Sequence, residues 1–301
     1  MGVRPDARVV VLGGCGFVGR ALVRELHGRG YRLRLVTRRP DRHRDLLVLP
    51  RLELWEGDVH DERFLRELAS GAQAFINLVG ILKEQAPGDF ARVHEELPAR
   101  MARAGRGLRL LQVSAAGADA ASESAYLRSK GRGEARLRAL APEAIVVRPS
   151  VIYGPGDHFV DRFRKLLRWA PWGLPVPLAA SLIAPVYVDD VARGIATALA
   201  RTAAAGQDYG FCGPEILSLG DSVAAIATLC GRARPLRLSA RLSFLLARLL
   251  QHAPGTPFSV DQWRTLKGGS VCPEGAPGLS DLGVVPRPFR EALEALDRGC
   301  A

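Results

Sequence analysis

The sequence predicts an α/β fold: a doubly wound parallel sheet followed by a smaller C-terminal subdomain. Three observations predict it. Between Arg8 and Arg148, short β-rich runs alternate with longer helical stretches. The runs are nearly continuously apolar, as strands covered on both faces must be. The first run also passes directly through a glycine-rich turn into a helix, which opens a βαβ unit with a right-handed crossover.

The elements follow in order. "RVVVL" (8–12), "YRLRLV" (31–36), "RLELWEG" (51–57), "AFINLVG" (74–80), "LRLLQVS" (108–114) and "AIVVRPS" (144–150) read as strands. Helical patterns fall near 17–28, 61–70, 89–104 and 124–140. After Ser150 the rhythm changes. "VIYGPGDHFVDRFRKLLRWAPWGLPVPL" opens on a Gly/Pro turn, continues as one short helix and ends as proline-rich coil. "LIAPVYVDDVARGIATALA" returns to a strand (182–188) and a helix (189–200), and from 206 the elements are short. The expected division is 1–150 for the core and 151–301 for the smaller subdomain, with 182–201 returning to the core.

Composition bounds the partners. The chain has 301 residues and a net charge of +11, with only four lysines (Lys83, Lys130, Lys165, Lys267) among 42 basic residues. The arginines are scattered without an aromatic-interleaved stripe, which argues against nucleic acid and leaves a phosphorylated cofactor or a membrane surface as anionic partners. No apolar run approaches the roughly 20 residues needed to span a bilayer. The N-terminal apolar run leads into a structural turn rather than a signal peptide, so a cytoplasmic location is expected, with peripheral membrane association open. The cysteines (Cys15, Cys212, Cys230, Cys272, Cys300) form no CxxC pair. Reduced thiols, no disulfide and no metal site are expected.

"VVVLGGCGFVGRALVREL" carries the strongest local signal. Gly13 permits a tight turn, Gly16 lets a diphosphate approach the backbone N–H groups of Gly16, Phe17 and Val18 at a helix start, and Gly19 lets that helix pack closely on the sheet. With a strand before and a helix after, this is the Rossmann dinucleotide fingerprint. The end of the second strand should lie beside the adenosine ribose. There the sequence reads "LVTRRPDRHR", with Thr37, Arg38 and Arg39 where a carboxylate would favour NAD(H). Guanidinium–phosphate pairing predicts NADP(H) over NAD(H). Asp58 and Val59 in "EGDVHD" suit the adenine amino group, with Asp61 the better helix cap. Leu78, Val79 and Gly80 close the fourth strand, where small and apolar residues let backbone approach the nicotinamide ribose.

In "SAYLRSKGRGE", Tyr126 and Lys130 are one helical turn apart and share a face. A lysine ammonium and an oxidised nicotinamide nearby lower a phenol from its usual pKa near ~10, so Tyr126 is expected to donate or accept a proton and Lys130 to assist it and bind ribose hydroxyls.

Together, "GGCGFVG", "GDV", "NLVG", "YLRSK", "VRPSVIYGPGD" and "PVYVDDVA" occur in an order that resembles the extended and atypical short-chain dehydrogenase/reductases, the NAD(P)-dependent epimerase/dehydratase group. Within it, "INLVGILKE" and "APVYVDDVARGIATAL" look most like the branch of the nucleotide-binding accessory subunit of respiratory complex I and its bacterial relatives. The resemblance implies bound NADP(H), backbone contacts from Pro149, Ser150 and Val151 near the carboxamide, a substrate cleft faced by Asp157, His158 and Arg162, and a respiratory-complex partner. One position departs from the group. Active members carry a Ser or Thr hydroxyl two residues beyond a first serine. Ser114 matches that first serine, but Ala116 stands at the second. Weak or absent turnover is therefore expected. The alternative is an active sugar-nucleotide epimerase/dehydratase or carbonyl reductase, with Tyr126 as general acid/base and Ser114 in the missing role. Asp189 and Asp190 read as helix caps. In "RLSARLSFLLARLLQHAPGTPFSVDQW", Leu242, Leu245, Leu246, Leu249 and Leu250 with Arg241 and Arg248 read as a lid helix packed on the cofactor domain, or as a basic amphipathic helix for a membrane surface or protein partner.

Overall fold

A computed structural model of the chain describes residues 2–170, 173–230, 235–250 and 258–298. Cys300 and residues 251–257 of the C-terminal apolar segment lie outside the described residues. In chain order the first elements are β1 (Arg8–Leu12), α1 (Phe17–Gly28), β2 (Arg32–Thr37), β3 (Leu52–Glu56), α2 (Glu62–Ala69), β4 (Ala74–Asn77), α3 (Leu97–Ala104), β5 (Arg109–Val113), α4 (Ala125–Leu140) and β6 (Ile145–Pro149). Then come β7 (Ile152–Tyr153), α5 (Val160–Trp169), β8 (Pro175–Val176), β9 (Leu182–Ile183), β10 (Val186–Tyr187), α6 (Val188–Ala200) and β11 (Asp208–Phe211). The chain continues through β12 (Leu217–Ser218), α7 (Leu219–Leu229), β13 (Leu236–Arg237), α8 (Ala240–Leu250), α9 (Val260–Lys267) and α10 (Phe289–Arg298).

Seven strands form one parallel sheet in the order β11-β6-β5-β4-β1-β2-β3. The apolar strands explain why it is covered on both sides. On one face Val9, Val11, Leu33, Leu35 and Ile76 pack with α1 and α6; on the other Val10, Leu12, Phe75 and Val146 pack with α2, α3 and α4. These two sets alternate along β1 and β4, as a pleated strand requires. A third cluster, centred on Tyr153, Leu167, Val223 and Phe289, joins α5, α7 and α10. Strand order reverses between β1 and β4, so the loops after these strands leave a crevice at the sheet's C-terminal edge.

Three expectations need correction. The run 182–188 is two short strands, β9 and β10, which pair with β12 and β7 outside the main sheet. The seventh strand is instead β11, "DYGF", which is too short and glycine-interrupted to show alternation. Its end places Cys212 beside Cys272, and these form a disulfide with Cα atoms 6.0 Å apart across 60 residues of chain. Spacing gave no sign of this pairing, because tertiary topology creates it. Gly210 makes room for it, since a Cβ there would sit 2.7 Å from the Cys272 sulfur. Cys15 and Cys230 are free thiols. Asp189 and Asp190 are not caps. The α6 N-terminus has no side-chain cap, and the fully buried Asp190 carboxylate pairs with Arg193 and accepts from the Arg287 backbone N–H at 2.8 Å.

Between Phe90 and α3 the expected helix contains a π turn (Ala91–Glu96). Helix α4 lies directly on it: a Cβ at Gly133 would fall 1.8 Å from the His94 carbonyl oxygen. Replacing Gly133 by Ala should force α4 off the turn and cost about 1–3 kcal/mol, the usual range for overpacking. A fall in melting temperature by calorimetry is the expected readout, and an unchanged midpoint would show that the two backbones can separate freely.

Candidate active site at the C-terminal edge of the sheet

The parallel register brings the expected cofactor residues to one edge. Leu12 pairs with Val36 and Asn77, Thr37 with Glu56, Asn77 with Gln112, and Val113 with Val147. Every loop that follows these strands therefore emerges on the same side. Gly13 adopts φ +78°, a left-handed conformation that favours glycine. Its α-carbon packs against the chain after β4, where an added Cβ would lie 3.2 Å from the Leu78 carbonyl carbon and the Val79 nitrogen. At Gly19 a Cβ would approach the Gly13 carbonyl oxygen to 2.2 Å, so close packing of α1 on the turn needs glycine there.

The start of α1 suits a diphosphate. Gly16 is its N-cap, no side chain caps it, and the first turn, which holds Phe17 and Val18, carries no acid. The unmet N–H groups and positive helix end favour an anion. At the end of β2, Thr37 Oγ1 accepts from the Arg39 N–H, and the exposed Arg38 and Arg39 side chains form no ion pair among the described residues. The Gly57 N–H donates to the Thr37 carbonyl, which holds the loop bearing Asp58 and Val59 beside them. Asp58 accepts from the His60 N–H in its own turn, while Asp61 caps α2 through the Arg63 N–H. These features fit a pyridine dinucleotide.

At the other end, Ser124 caps α4 through the Leu127 N–H, and the Asp261 carboxylate of α9 accepts from the Ala125 and Tyr126 N–H groups. Lys130 is buried. Its ammonium donates to the Val113 carbonyl at 3.4 Å, and a Cβ on Gly80 would sit 3.1 Å from it. Burial lowers the Lys130 ammonium to about 8, opposed by the Glu134 carboxylate. Burial pushes the Tyr126 phenol up to about 12. At neutral pH it is a proton donor, not a phenolate. Ser114 Oγ is buried without a hydrogen-bond partner among the described residues, whereas Ala116 is buried with its N–H on the Pro149 carbonyl. The hydroxyl of Ser150 is already engaged, donating to the Ser270 carbonyl and accepting from the Ala184 N–H, and the Val151 carbonyl accepts from the Val186 N–H. Asp157 does not open onto a cleft. Its carboxylate is buried and accepts from the Gly154 and Asp161 N–H groups, while His158 and Arg162 are exposed.

The structure adds residues that the sequence reading passed over. Asn77 accepts from the Val79 N–H and donates to Gln112, whose amide donates to the Val113 carbonyl. This buried chain shapes both loops beside Lys130, and its signal was two amides inside apolar strands. His94 is the second omission. Its ring stacks on Phe90 at 5.4 Å and meets Tyr126 edge-on at 5.6 Å. Ser129 Oγ donates its one hydrogen to the Tyr126 carbonyl, so it accepts from His94 Nδ1–H; His94 Nε2 then accepts from the Ile81 N–H. Both bonds require the neutral Nδ1–H tautomer.

The sheet, glycine turn and Tyr–Lys helix define a dinucleotide-binding protein of the short-chain dehydrogenase/reductase type. A profile described as the NAD dependent epimerase/dehydratase family matches residues 9–212, and the chain belongs to that family. It is 32% identical to NADH dehydrogenase (ubiquinone) 1 alpha subcomplex subunit 9, mitochondrial, of Mus musculus, over 96% of this chain and 79% of the relative. It is 39% identical to a ceramide reductase of Caulobacter vibrioides over 67% of this chain and 64% of that protein. The fold matches UDP-glucuronic acid 4-epimerase of Bacillus cereus, solved with UDP-glucuronic acid and NAD, with a TM-score of 0.70 and 17% identity over 97% of this chain and 98% of the other.

His94 makes acid a specific threat to the site. Burial, helped by the Lys130 charge, lowers its pKa from 6.5 to about 3. The unfolded chain therefore takes up a proton that the fold refuses between these values. Stability is fully present above pH 6.5 and lost as pH falls toward 3, by at most about 5 kcal/mol. Urea titrations should show a shallower acid loss for His94→Asn than for wild type, and parallel profiles would refute this role.

Proposed function

We propose that the chain binds NADP(H) and is a weakly active or inactive counterpart of the respiratory accessory-subunit branch, with a respiratory complex as its partner. The observation that carries this reading is a half-buried Tyr126 one helical turn from a buried Lys130, with a residue that has no hydroxyl, Ala116, two positions beyond Ser114. The likeness to the mouse complex I subunit over nearly the whole chain supports the partner. In this reading Gly13, Gly16 and Gly19 shape the diphosphate cradle, and Phe17 and Val18 offer N–H groups. Thr37, Arg38 and Arg39 hold the 2′-phosphate, Asp58 and Val59 flank the adenine, and Leu78, Val79 and Gly80 line the ribose. Lys130 donates to ribose hydroxyls, and Pro149 and Val151 pack near the carboxamide. The segment after residue 150 forms the substrate side.

A bound nicotinamide supplies the carbon that accepts or gives hydride. Lys130, still charged near neutrality, would steady the ribose in this reading. Tyr126, protonated at this pH, can give a proton to a nascent alkoxide, which suits carbonyl reduction. What Ala116 withholds is a second donor to polarise the carbonyl.

A second reading, an active carbonyl reductase or sugar-nucleotide epimerase/dehydratase, is favoured by one observation. Ser114 Oγ is buried, without a hydrogen-bond partner among the described residues, and two residues from the vacant role. The relative named a ceramide reductase supports the reductase form.

Isothermal titration tests the cofactor. NADP should bind more tightly than NAD, and Arg38→Ala/Arg39→Ala should weaken NADP about 10–100-fold while leaving NAD nearly unchanged. Tighter binding of NAD by wild type would overturn the assignment. Turnover separates the two readings. Ala116→Ser should raise a weak carbonyl reductase rate at least about tenfold, and Tyr126→Phe should abolish it. Brisk wild-type turnover that Ser114→Ala removes would establish the second reading instead.

A further inference from the structure

Helix α8 is built the wrong way round for a lid. A surface helix ordinarily buries its leucines and exposes its small polar residues. In "ARLSFLLARLL" the fully buried side chains are Ser243 and Ala247, one turn apart. Ser243 Oγ accepts from the Leu178 N–H and donates to the Ser239 carbonyl, so the helix is held by this narrow stripe. Its main packing partner is α9, where Phe244 meets Trp263 at 5.0 Å; α9 in turn packs on α4. At about 100° per residue, Leu242, Leu245 and Leu249 lie on the opposite side of α8 from that stripe. They are 50%, 52% and 68% exposed, and Leu236 just upstream is 53% exposed.

Charge completes the pattern. Arg241 and Arg248 are exposed, border one edge of the leucine stripe and form no ion pair among the described residues. From Pro235 to Leu250 the chain has no acid. Lys267 lies over the Trp263 ring on the neighbouring helix, and the nearby Asp261 is committed to the N-terminus of α4. No helix among the described residues is long and apolar enough to cross a membrane.

We propose that this face of α8 docks on an anionic lipid bilayer, with Leu242, Leu245 and Leu249 inserted at the headgroup–acyl boundary and Arg241 and Arg248 on lipid phosphates. An inserted apolar stripe bordered by arginines is the pattern of an interfacial helix, and two bordering cations together with a chain charge of +11 select the anionic surface. The inference rests on residues outside the dinucleotide site.

Co-sedimentation of the full chain with vesicles, without dinucleotide, tests it. Wild type should pellet with phosphatidylcholine–phosphatidylglycerol vesicles and remain in the supernatant with phosphatidylcholine alone. Leu245→Glu/Leu249→Glu and Arg241→Glu/Arg248→Glu should each weaken partitioning about tenfold or more. Both variants should keep the wild-type circular dichroism and melting temperature, because the altered side chains are exposed. No binding by wild type, or unchanged binding by the leucine variant, overturns the proposal. So does a concentration-dependent dimer in light scattering that the leucine variant abolishes, which would assign the face to a second copy of the chain. None of these outcomes bears on NADP(H) affinity.

Discussion

The candidate site depends on one close approach, the seating of α4 on the turn 91–96 through Gly133. Parallel pairing of β4 with β5 puts the loops carrying Gly80 and Ser114 side by side, but it does not position Tyr126 or Lys130. These arrive on α4, which follows the fifth strand. Only when its backbone comes down onto the His94 carbonyl does the Lys130 ammonium reach the Val113 carbonyl and the Gly80 backbone. The same approach brings Ser129 within 2.8 Å of the His94 ring, and His94 in turn holds the Ile81 N–H. A side chain at residue 133 would disturb all of these contacts at once.

That geometry makes the Tyr–Lys pair electrostatically quiet. Burial raises the phenol and lowers the ammonium, so each group is biased toward its neutral form. Lys130 keeps a charge weak enough to be buried yet available to an oxygen-rich ligand. His94 serves the same economy of charge. A second cation beside Lys130 would be costly, and the neutral tautomer forced by Ser129 and Ile81 avoids it. With its phenol raised, Tyr126 is protonated at neutral pH.

Legibility followed the range of the interactions. The glycine turn and α1 could be read because a strand, a left-handed turn and a helix are encoded within about 20 residues, and the βα unit needs nothing more distant. The Tyr126–Lys130 spacing is likewise local, with Ser124 as a readable cap. The raised phenol could not be read, because it comes from burial, and the rings that meet Tyr126, Phe90 and His94, lie about 30 positions upstream. The Cys212–Cys272 pairing joins residues 60 positions apart, the first just after β11, and spacing cannot reveal it. His94 looked like one more residue of a helical pattern. Its importance comes from a π turn that turns its ring toward Tyr126 and from a serine 35 positions away. Asp189 and Asp190 misled for a related reason. An acid in the first turn resembles a cap, but the residue that binds Asp190 from outside its helix is Arg287, nearly a hundred positions downstream.

Helix α8 shows why a hydrophobic pattern must be read with its polarity of burial. Its leucines recur at helical spacing, and periodicity alone is satisfied whether they face inward or outward. Two small residues decide the matter. Ser243 is buried because its hydroxyl meets both the Leu178 N–H and the Ser239 carbonyl, and Ala247 follows it one turn later. Inverting the helix would strand that hydroxyl's partner and force leucines into a space now filled by a serine and an alanine, at the cost of overpacking. The outward leucine stripe is thus a consequence of how the helix is anchored. Its arginine border fits the lipid surface proposed for it.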